Sequence, residues 1–147
     1  MRLGLIEGLR HLLLGGAAAL VVISASSSAQ APFPFGRELV LDAAPMQKGK
    51  RMPAITVAES GAVAIDLWCK SVAGQAEFNE STIKIAAEPL PEALPQVMGR
   101  DQCTPARIQA DQDLLAALAQ ATSWRMQGDA MLLEGGPKAM KFRPATN

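Results

Sequence analysis

The feature that most constrains the fold of this chain is a repeated alternation of apolar and polar side chains. Successive side chains of a strand point to opposite faces, so this two-residue period is typical of strands with one buried and one solvent-facing side. Five such runs lie in the first part of the chain: "RELVLD", "PAITVAE", "GAVAIDLW", "GQAEFNE" and "STIKIAA". Two or three more, "SWRMQ", "AMLLE" and "KAMKF", lie near the carboxyl end. The pattern predicts a mainly antiparallel sheet that is partly rolled.

One segment between these two groups of runs has helical spacing instead. Thr104 is suited to the N-cap position and Pro105 to the first helical position, and the pattern ends near Ala121. The residues on the expected stripe are Ile108, Leu114, Leu115, Leu118, Ala121 and Thr122. Together with the strands, this helix predicts the α+β class, in which one helix covers the sheet.

Two further segments are typical of loops and turns. The run "EPLPEALPQ", residues 88–96, contains three prolines and is therefore excluded from a central strand or a helix interior. We expect an ordered loop there. Gly128 and Asp129 have the composition of a two-residue hairpin turn between two of the last strands.

The first 29 residues have the order of a secretory signal peptide. Arg2 and Arg10 give the segment a basic start. An apolar run then extends from Leu12 to Ile23, and small residues ending in Ala29 follow. The apolar run is shorter than the roughly 20 residues that a bilayer-spanning helix needs. We therefore expect cleavage after Ala29, which would leave no stable membrane span, and an uncleaved anchor is the alternative.

Cleavage at that point defines the domain organisation. Residues 1–29 would be the signal peptide, residues 30–36 a proline-rich lead-in, and residues 37–147 a single domain. The expected location is the periplasm or the outside of the cell.

The charge of the exported chain indicates which partners to expect. Removing Arg2, Arg10 and Glu7 from a chain with a formal net charge of +0 leaves a net charge of −1. A nearly neutral domain has no field of one sign to attract the phosphates of nucleic acid. We therefore expect no nucleic-acid partner.

The shortage of histidine limits the chemistry that the domain can perform. The only histidine, His11, lies in the predicted signal peptide, and the chain has no tyrosine. The exported part therefore has no histidine general base, no Ser-His or Cys-His pair and no imidazole metal ligand. We predict no catalytic residues, no cofactor and no metal site. A hydrolase that uses carboxylates alone is the remaining enzymatic alternative.

The acidic residues do not form an obvious pair for acid–base catalysis. Asp111 and Asp113 lie near the start of the predicted helix, where acidic side chains suit the helix dipole. Residues two apart diverge on a helix, so their carboxylates are not expected to meet.

Three residues are candidates for a contact surface. Asp66 follows Ile65 in an apolar strand and points to the opposite, solvent-facing side. Trp68 and Trp124 would supply large side chains for binding. Packing in the core is the alternative for both tryptophans.

Cys69 and Cys103 are the only two cysteines. In an exported chain an even number of cysteines predicts a disulfide, here between the end of a strand and the loop before the helix. Two unpaired thiols and a metal site are the alternatives. A reactive thiolate is not expected, because no histidine is available to generate one.

The residues around Cys69 resemble those of a known family. Gly61, Val63, Cys69 and Gly74 follow the pattern of the META domain, the family of the bacterial heat-shock protein HslJ. The later segments "DQDLLAAL" and "GDAMLLEGGPKAMKF" are similar to the end of the family pattern. The resemblance also includes Cys103. One departure is "WCK" at residues 68–70, where the family usually has Gly-Cys-Asn.

The resemblance implies a small α+β envelope domain without catalytic residues, whose bacterial relatives are linked to heat shock and antibiotic tolerance. We therefore expect a non-catalytic domain that acts by contact with an envelope protein or a cell-wall component. The alternative is a periplasmic binding or inhibitor module of the lysozyme-inhibitor type, which would present residues 88–96 as a protruding loop.

Overall fold

The computed structural model describes residues 31–47, 51–93 and 102–146. The predicted signal peptide, residues 1–29, lies outside these ranges. All the predicted strands and the predicted helix lie within them. Their bounds are β1 Glu38–Leu41, β2 Ala54–Val57, β3 Ala62–Asp66, β4 Ser71–Phe78, β5 Ile83–Ala87, α1 Pro105–Gln120, β6 Ser123–Gln127, β7 Ala130–Glu134 and β8 Met140–Pro144.

The eight strands form one antiparallel sheet in the order β5-β4-β3-β2-β1-β8-β7-β6. Every hairpin joins neighbours in this order, and the long connection that contains α1 carries the chain from β5 to β6. The predicted α+β class is confirmed, and the carboxyl-terminal part contributes three strands.

The two outer strands of the sheet meet where β5 begins and β6 begins. The backbone N–H of Ile83 donates to the carbonyl of Thr122 at 3.1 Å, and the N–H of Trp124 donates to Ser81 at 3.0 Å. An antiparallel bridge joins Thr82 to Ser123 between them. The sheet is therefore rolled until it is nearly closed, which confirms the rolled arrangement that the sequence predicted.

The inward side chains of the rolled sheet form the core. In β3, Val63 and Ile65 are buried while Ala62 and Ala64 are exposed, as the two-residue period predicted. The largest side chains that are almost completely buried are Leu39, Ile65, Leu67, Leu118, Met131, Leu133 and Phe142.

The helix covers one end of this core. Thr104 is the N-cap, and its hydroxyl accepts the N–H of Arg107 at 3.4 Å, while Pro105 occupies the first turn. Leu118 is completely buried, as predicted, whereas Leu115 is only partly buried. Leu115 lines a groove with Ala87, at the far end of β5.

The opposite end of the core is closed by the lead-in. Phe78 and Ile83, where β4 ends and β5 begins, are paired at this end of the sheet. The side chain of Phe33 is 8% exposed and belongs to the core cluster, although it precedes the first strand. Helix α1 and the lead-in thus close the two ends of the same rolled sheet.

Two glycines of the predicted motif allow close backbone approach. Gly61 has a φ of +88°, and a Cβ atom there would come within 2.6 Å of the carbonyl oxygen of Ala76. At Gly74 a Cβ atom would come within 2.6 Å of the carbonyl oxygen of Ala86 on the neighbouring strand. Both positions therefore exclude larger side chains.

Candidate functional site

The turn between β3 and β4, residues 67–70, is held by a disulfide and by two side chains of helix α1. Cys69 is joined to Cys103 by a disulfide, with the two Cα atoms 5.7 Å apart. Both cysteines are buried. The predicted disulfide is confirmed, and it ties this turn to the residue that precedes the helix cap.

A buried carboxylate holds the same turn from the side of the helix. Asp111 is 0% exposed, and its oxygens accept the backbone N–H of Cys69 at 3.1 and 3.2 Å. They also accept the N–H of Lys70 at 2.9 Å. Burial raises the pKa of the Asp111 carboxyl, and the hydrogen bonds from Lys70 and Cys69 oppose that rise.

Arg107 completes the contact between helix and turn. Its guanidinium is buried and donates to the carbonyl of Trp68 at 2.6 Å and to the carbonyl of Gln102. Arg107 and Asp111 are four residues apart and therefore lie on the same face of α1. Arg107 donates to a carbonyl of the turn, and Asp111 accepts from its N–H groups. The pair therefore satisfies both the donors and the acceptors of this backbone.

This pair was missed by the sequence analysis. Asp111 lies in the second turn of α1, beyond the first turn where the helix dipole acts most strongly, so the dipole explanation was wrong. The signal was present in the spacing, because Arg107 and Asp111 extend the stripe that carries Leu118. Charged residues on an otherwise apolar stripe indicate a buried polar contact.

Lys70 fastens the start of the proline-rich segment. It is only 8% exposed, and its Nζ donates to the carbonyl of Pro91 and, at 3.4 Å, to that of Glu92. Residues 88–93 contain no strand or helix, in agreement with the predicted loop. The remainder of that prediction, residues 94–96, lies outside the described residues.

Asp66 takes part in a small polar network at the ends of β3 and β4. The guanidinium of Arg51 donates to Asp66 at 2.8 Å and to the Ser71 hydroxyl at 2.8 Å, and that hydroxyl lies 2.6 Å from Asp66. The side chain of Asp66 is 48% exposed. The Asp66 carboxylate is therefore available to solvent, but it is engaged by a cation and a hydroxyl.

The two tryptophans do not share this exposed surface. Trp68 is 7% exposed and Trp124 is 5% exposed, so both tryptophans are packed in the interior and neither forms an exposed patch with Asp66. Trp68 lies beyond the end of β3, in the turn that Arg107 and the disulfide hold against the helix. Trp124 packs among phenylalanines, and its Nε1 donates to the carbonyl of Asn79 at 3.1 Å.

An aromatic cleft of about 550 Å³ opens at the end of the sheet that the lead-in closes. We call this site the aromatic cleft and define it by its lining residues: Ala31, Pro32, Phe33, Phe35, Phe78, Asn79, Glu80 and Trp124. Phe35 and Phe78 are partly buried. The cleft combines an apolar wall with few polar groups, which is the usual composition of a binding site.

Neither a metal cluster nor a membrane helix is found in the described ranges. Within residues 31–47, 51–93 and 102–146, no three histidine, cysteine or acidic side chains are grouped to hold a metal ion. In the same ranges no helix combines the length and the apolar character needed to cross a bilayer.

Two comparisons with known proteins match this chain. The family model of the META domain matches residues 37–147. A protein whose structure was solved by NMR is similar to this chain with a TM-score of 0.51 and 14% sequence identity, over 73% of this chain and 87% of that one. At this identity the likeness shows the fold alone. No curated protein matches the sequence significantly.

Proposed function

This chain belongs to the META domain family, and we propose that it is an exported, non-catalytic domain of the cell envelope. In this proposal it supports stress or antibiotic tolerance by binding another envelope molecule, either a protein or a component of the cell wall. The predicted signal peptide would be removed during export.

The disulfide is the observation that carries this proposal. Disulfides persist in oxidising compartments and are rare in the reducing cytosol. Cys69 and Cys103 lie at a Cα separation in the usual range, and Asp111 and Arg107 hold the residues beside them. The surroundings of Cys69 and Cys103 therefore suit a disulfide, which supports a site of action outside the cytosol.

The use made of the polar side chains supports a binding role. Asp111, Arg107 and Lys70 are buried, and their side chains bind backbone groups of the turn and the proline-rich segment. Groups that are committed to backbone in this way stabilise the fold. The aromatic cleft, by contrast, offers a surface that a partner can enter.

One observation favours the alternative of an inhibitor-like binding module. Lys70 holds Pro91 and Glu92 on one flank of the long connection before α1, and the disulfide holds Cys103 on the other flank. Fixing the flanks lowers the entropy that a connection loses on binding. In this alternative a single abundant envelope enzyme would be the partner.

Crosslinking followed by pull-down from an envelope extract tests the proposal. We expect the folded domain to recover a discrete envelope molecule, and an inhibitor would recover one enzyme and reduce its activity. A screen with ester, glycoside and phosphate substrates tests the alternative that the domain is a hydrolase. If turnover is found, and Asp66→Asn abolishes it without changing the melting curve, the non-catalytic assignment is wrong.

A further inference from the structure

The aromatic cleft is formed in part by residues that precede the family domain. The family match begins at residue 37, yet Phe33 is buried in the core cluster of the domain. The lead-in therefore supplies half of the lining, including the ring of Phe33, and the domain supplies the other half, including Phe78 and Trp124. Such a pocket would be open if the lead-in left it.

The ring of Phe33 is held by aromatic contacts on several sides. Its centroid lies 4.5 Å from that of Phe78 and 5.0 Å from that of Trp124, with an edge-to-face arrangement at Trp124. Phe35 lies 4.8 Å from Phe33 and 5.5 Å from Phe78. These separations lie in the favourable range for aromatic pairs, so the pocket is shaped for a phenylalanine ring.

The backbone of the lead-in is held much less firmly than its rings. Among the described residues, the N–H of Gly36, which donates to Val57 at 2.7 Å, makes the one backbone hydrogen bond between the lead-in and the sheet. The other backbone bond of the lead-in, from Phe35 to Phe33, is internal. Gly36 has a φ of +70° and open space around it, which suits a pivot.

The open part of the aromatic cleft gives a second segment access to the same pocket. Phe78 and Trp124 line the cleft beside Phe33, so a partner can contact these walls before the lead-in moves. Contact with these walls followed by exchange keeps the apolar surface of the pocket covered for most of the process.

We propose that the pocket between Phe78 and Trp124 recognises a phenylalanine next to proline in a segment of a partner protein. In this structure the ring of Phe33 occupies the pocket and the exposed Pro32 lies beside it, and a partner segment of the same chemistry displaces them. The inference rests on the proposed function only in taking that segment from an envelope protein.

The chemistry of the occupant follows from the segment that the pocket already holds. Phe33 has a proline on each side, at Pro32 and Pro34. Proline fixes φ and restricts the residue before it, so little conformational entropy is lost when the ring enters the pocket. An aromatic side chain without flanking prolines would lose more entropy on binding and should bind less tightly.

Displacement predicts that removing the internal competitor improves binding. A tethered occupant lowers the apparent affinity of a competing segment by the fraction of molecules in which the pocket is free. The probe is a fluorescently labelled, end-blocked peptide of residues 30–36, titrated into the mature chain and into Phe33→Ala. We expect Phe33→Ala to bind it at least tenfold more tightly than the unchanged protein.

Two controls and one alternative variant make the result specific. A peptide with both phenylalanines replaced by alanine should not bind, and Leu115→Ala, on the helix at the other end of the core, should not gain affinity. If Phe33→Ala does not fold, Phe33→Leu tests the same displacement, because leucine keeps an apolar side chain in the core and loses the ring contacts with Phe78 and Trp124. Folded variants that bind the peptide no better than the unchanged protein would overturn the inference.

The pull-down from envelope extract separates this inference from the proposed function. If Phe33→Ala and the unchanged protein recover the same partner equally, and neither binds the peptide, then the domain binds its partner through another surface. In that case the displacement inference fails while the proposed function stands.

Discussion

The backbone N–H of Lys70 donates to the carboxylate of Asp111 at 2.9 Å, across 41 positions of sequence. The N–H of Cys69 donates to the same carboxylate, so the middle of the helix holds the turn that carries the disulfide. The covalent link and the carboxylate thus fix the same residues independently. This double attachment explains how a turn with no strand pairing of its own is buried.

Asp111→Asn should destabilise the domain by about 1–3 kcal/mol, because an amide offers one acceptor oxygen where the carboxylate offers two. The amide N–H groups would face the donors of Cys69 or Lys70. Asp113→Asn is the matched control on the same helix, since Asp113 is exposed and accepts a hydrogen bond from Gln109. Urea denaturation should show a loss for Asp111→Asn and almost none for Asp113→Asn.

The pH dependence of that difference follows from the raised pKa of Asp111. A raised pKa means that the folded state binds the proton more readily than the unfolded chain, whose aspartate pKa is about 3.9. The free energy of unfolding contributed by Asp111 should therefore fall as pH rises from that value through the higher folded pKa. Asp111→Asn removes this decline, so its cost should be greatest at the acid end of the window.

The contribution of Asp42 to the free energy of unfolding should have the opposite pH dependence, in a lower pH window. A hydrogen bond from Arg143 lowers the pKa of Asp42, so its contribution is lost as pH falls below about 3.9 through the lower folded pKa. Denaturation of Asp42→Asn over the same pH series separates the two effects. A cost of Asp111→Asn that grows with pH would contradict a raised pKa for Asp111.

Reduction of the disulfide should lower the free energy of unfolding by roughly 3–4 kcal/mol in the chain-entropy model, for a sequence separation of 34 residues. Urea denaturation with and without a reductant measures this loss. The double variant Cys69→Ala with Cys103→Ala should be insensitive to the reductant. Equal stability of the oxidised and reduced protein would show that the link does not constrain the unfolded chain.

Leu118→Ala should cost about 2–5 kcal/mol, because Leu118 is completely buried where the helix closes the core. Asp66→Asn should cost no more than about 1 kcal/mol, since the Asp66–Arg51 ion pair is partly exposed. Thermal and urea denaturation of the two variants, side by side, checks both values. A larger loss for Asp66→Asn would show that its network with Ser71 supports the strand ends.

The strands and the helix were predictable because their signals are local. The alternation at Val63 and Ile65 and the cap at Thr104 depend on neighbouring residues, and both are as expected in the structure. The structure also gives physical reasons for residues that the chain shares with the family pattern. Gly74 lies directly opposite Val63 on the next strand and leaves space for the backbone of β5, where a side chain would collide with Ala86.

The environments of Trp68 and Trp124 and the partners of Asp111 were not predictable, because they depend on contacts between distant segments. Period two assigns Trp68 to the face opposite Val63, but β3 ends at Asp66 and the chain turns inward. Trp124 is covered by Phe33 from the lead-in, which carries no periodic signal. Asp111 is buried only because the turn between β3 and β4 presents two N–H groups to the helix.

Mass spectrometry of the protein isolated from its own cells after rapid thiol trapping tests most directly whether it is exported and oxidised. We predict one mature species that begins at Gln30, carries no trapped thiol and gains two trapped groups after reduction. A species that retains residues 1–29 with both Cys69 and Cys103 trapped would contradict the account.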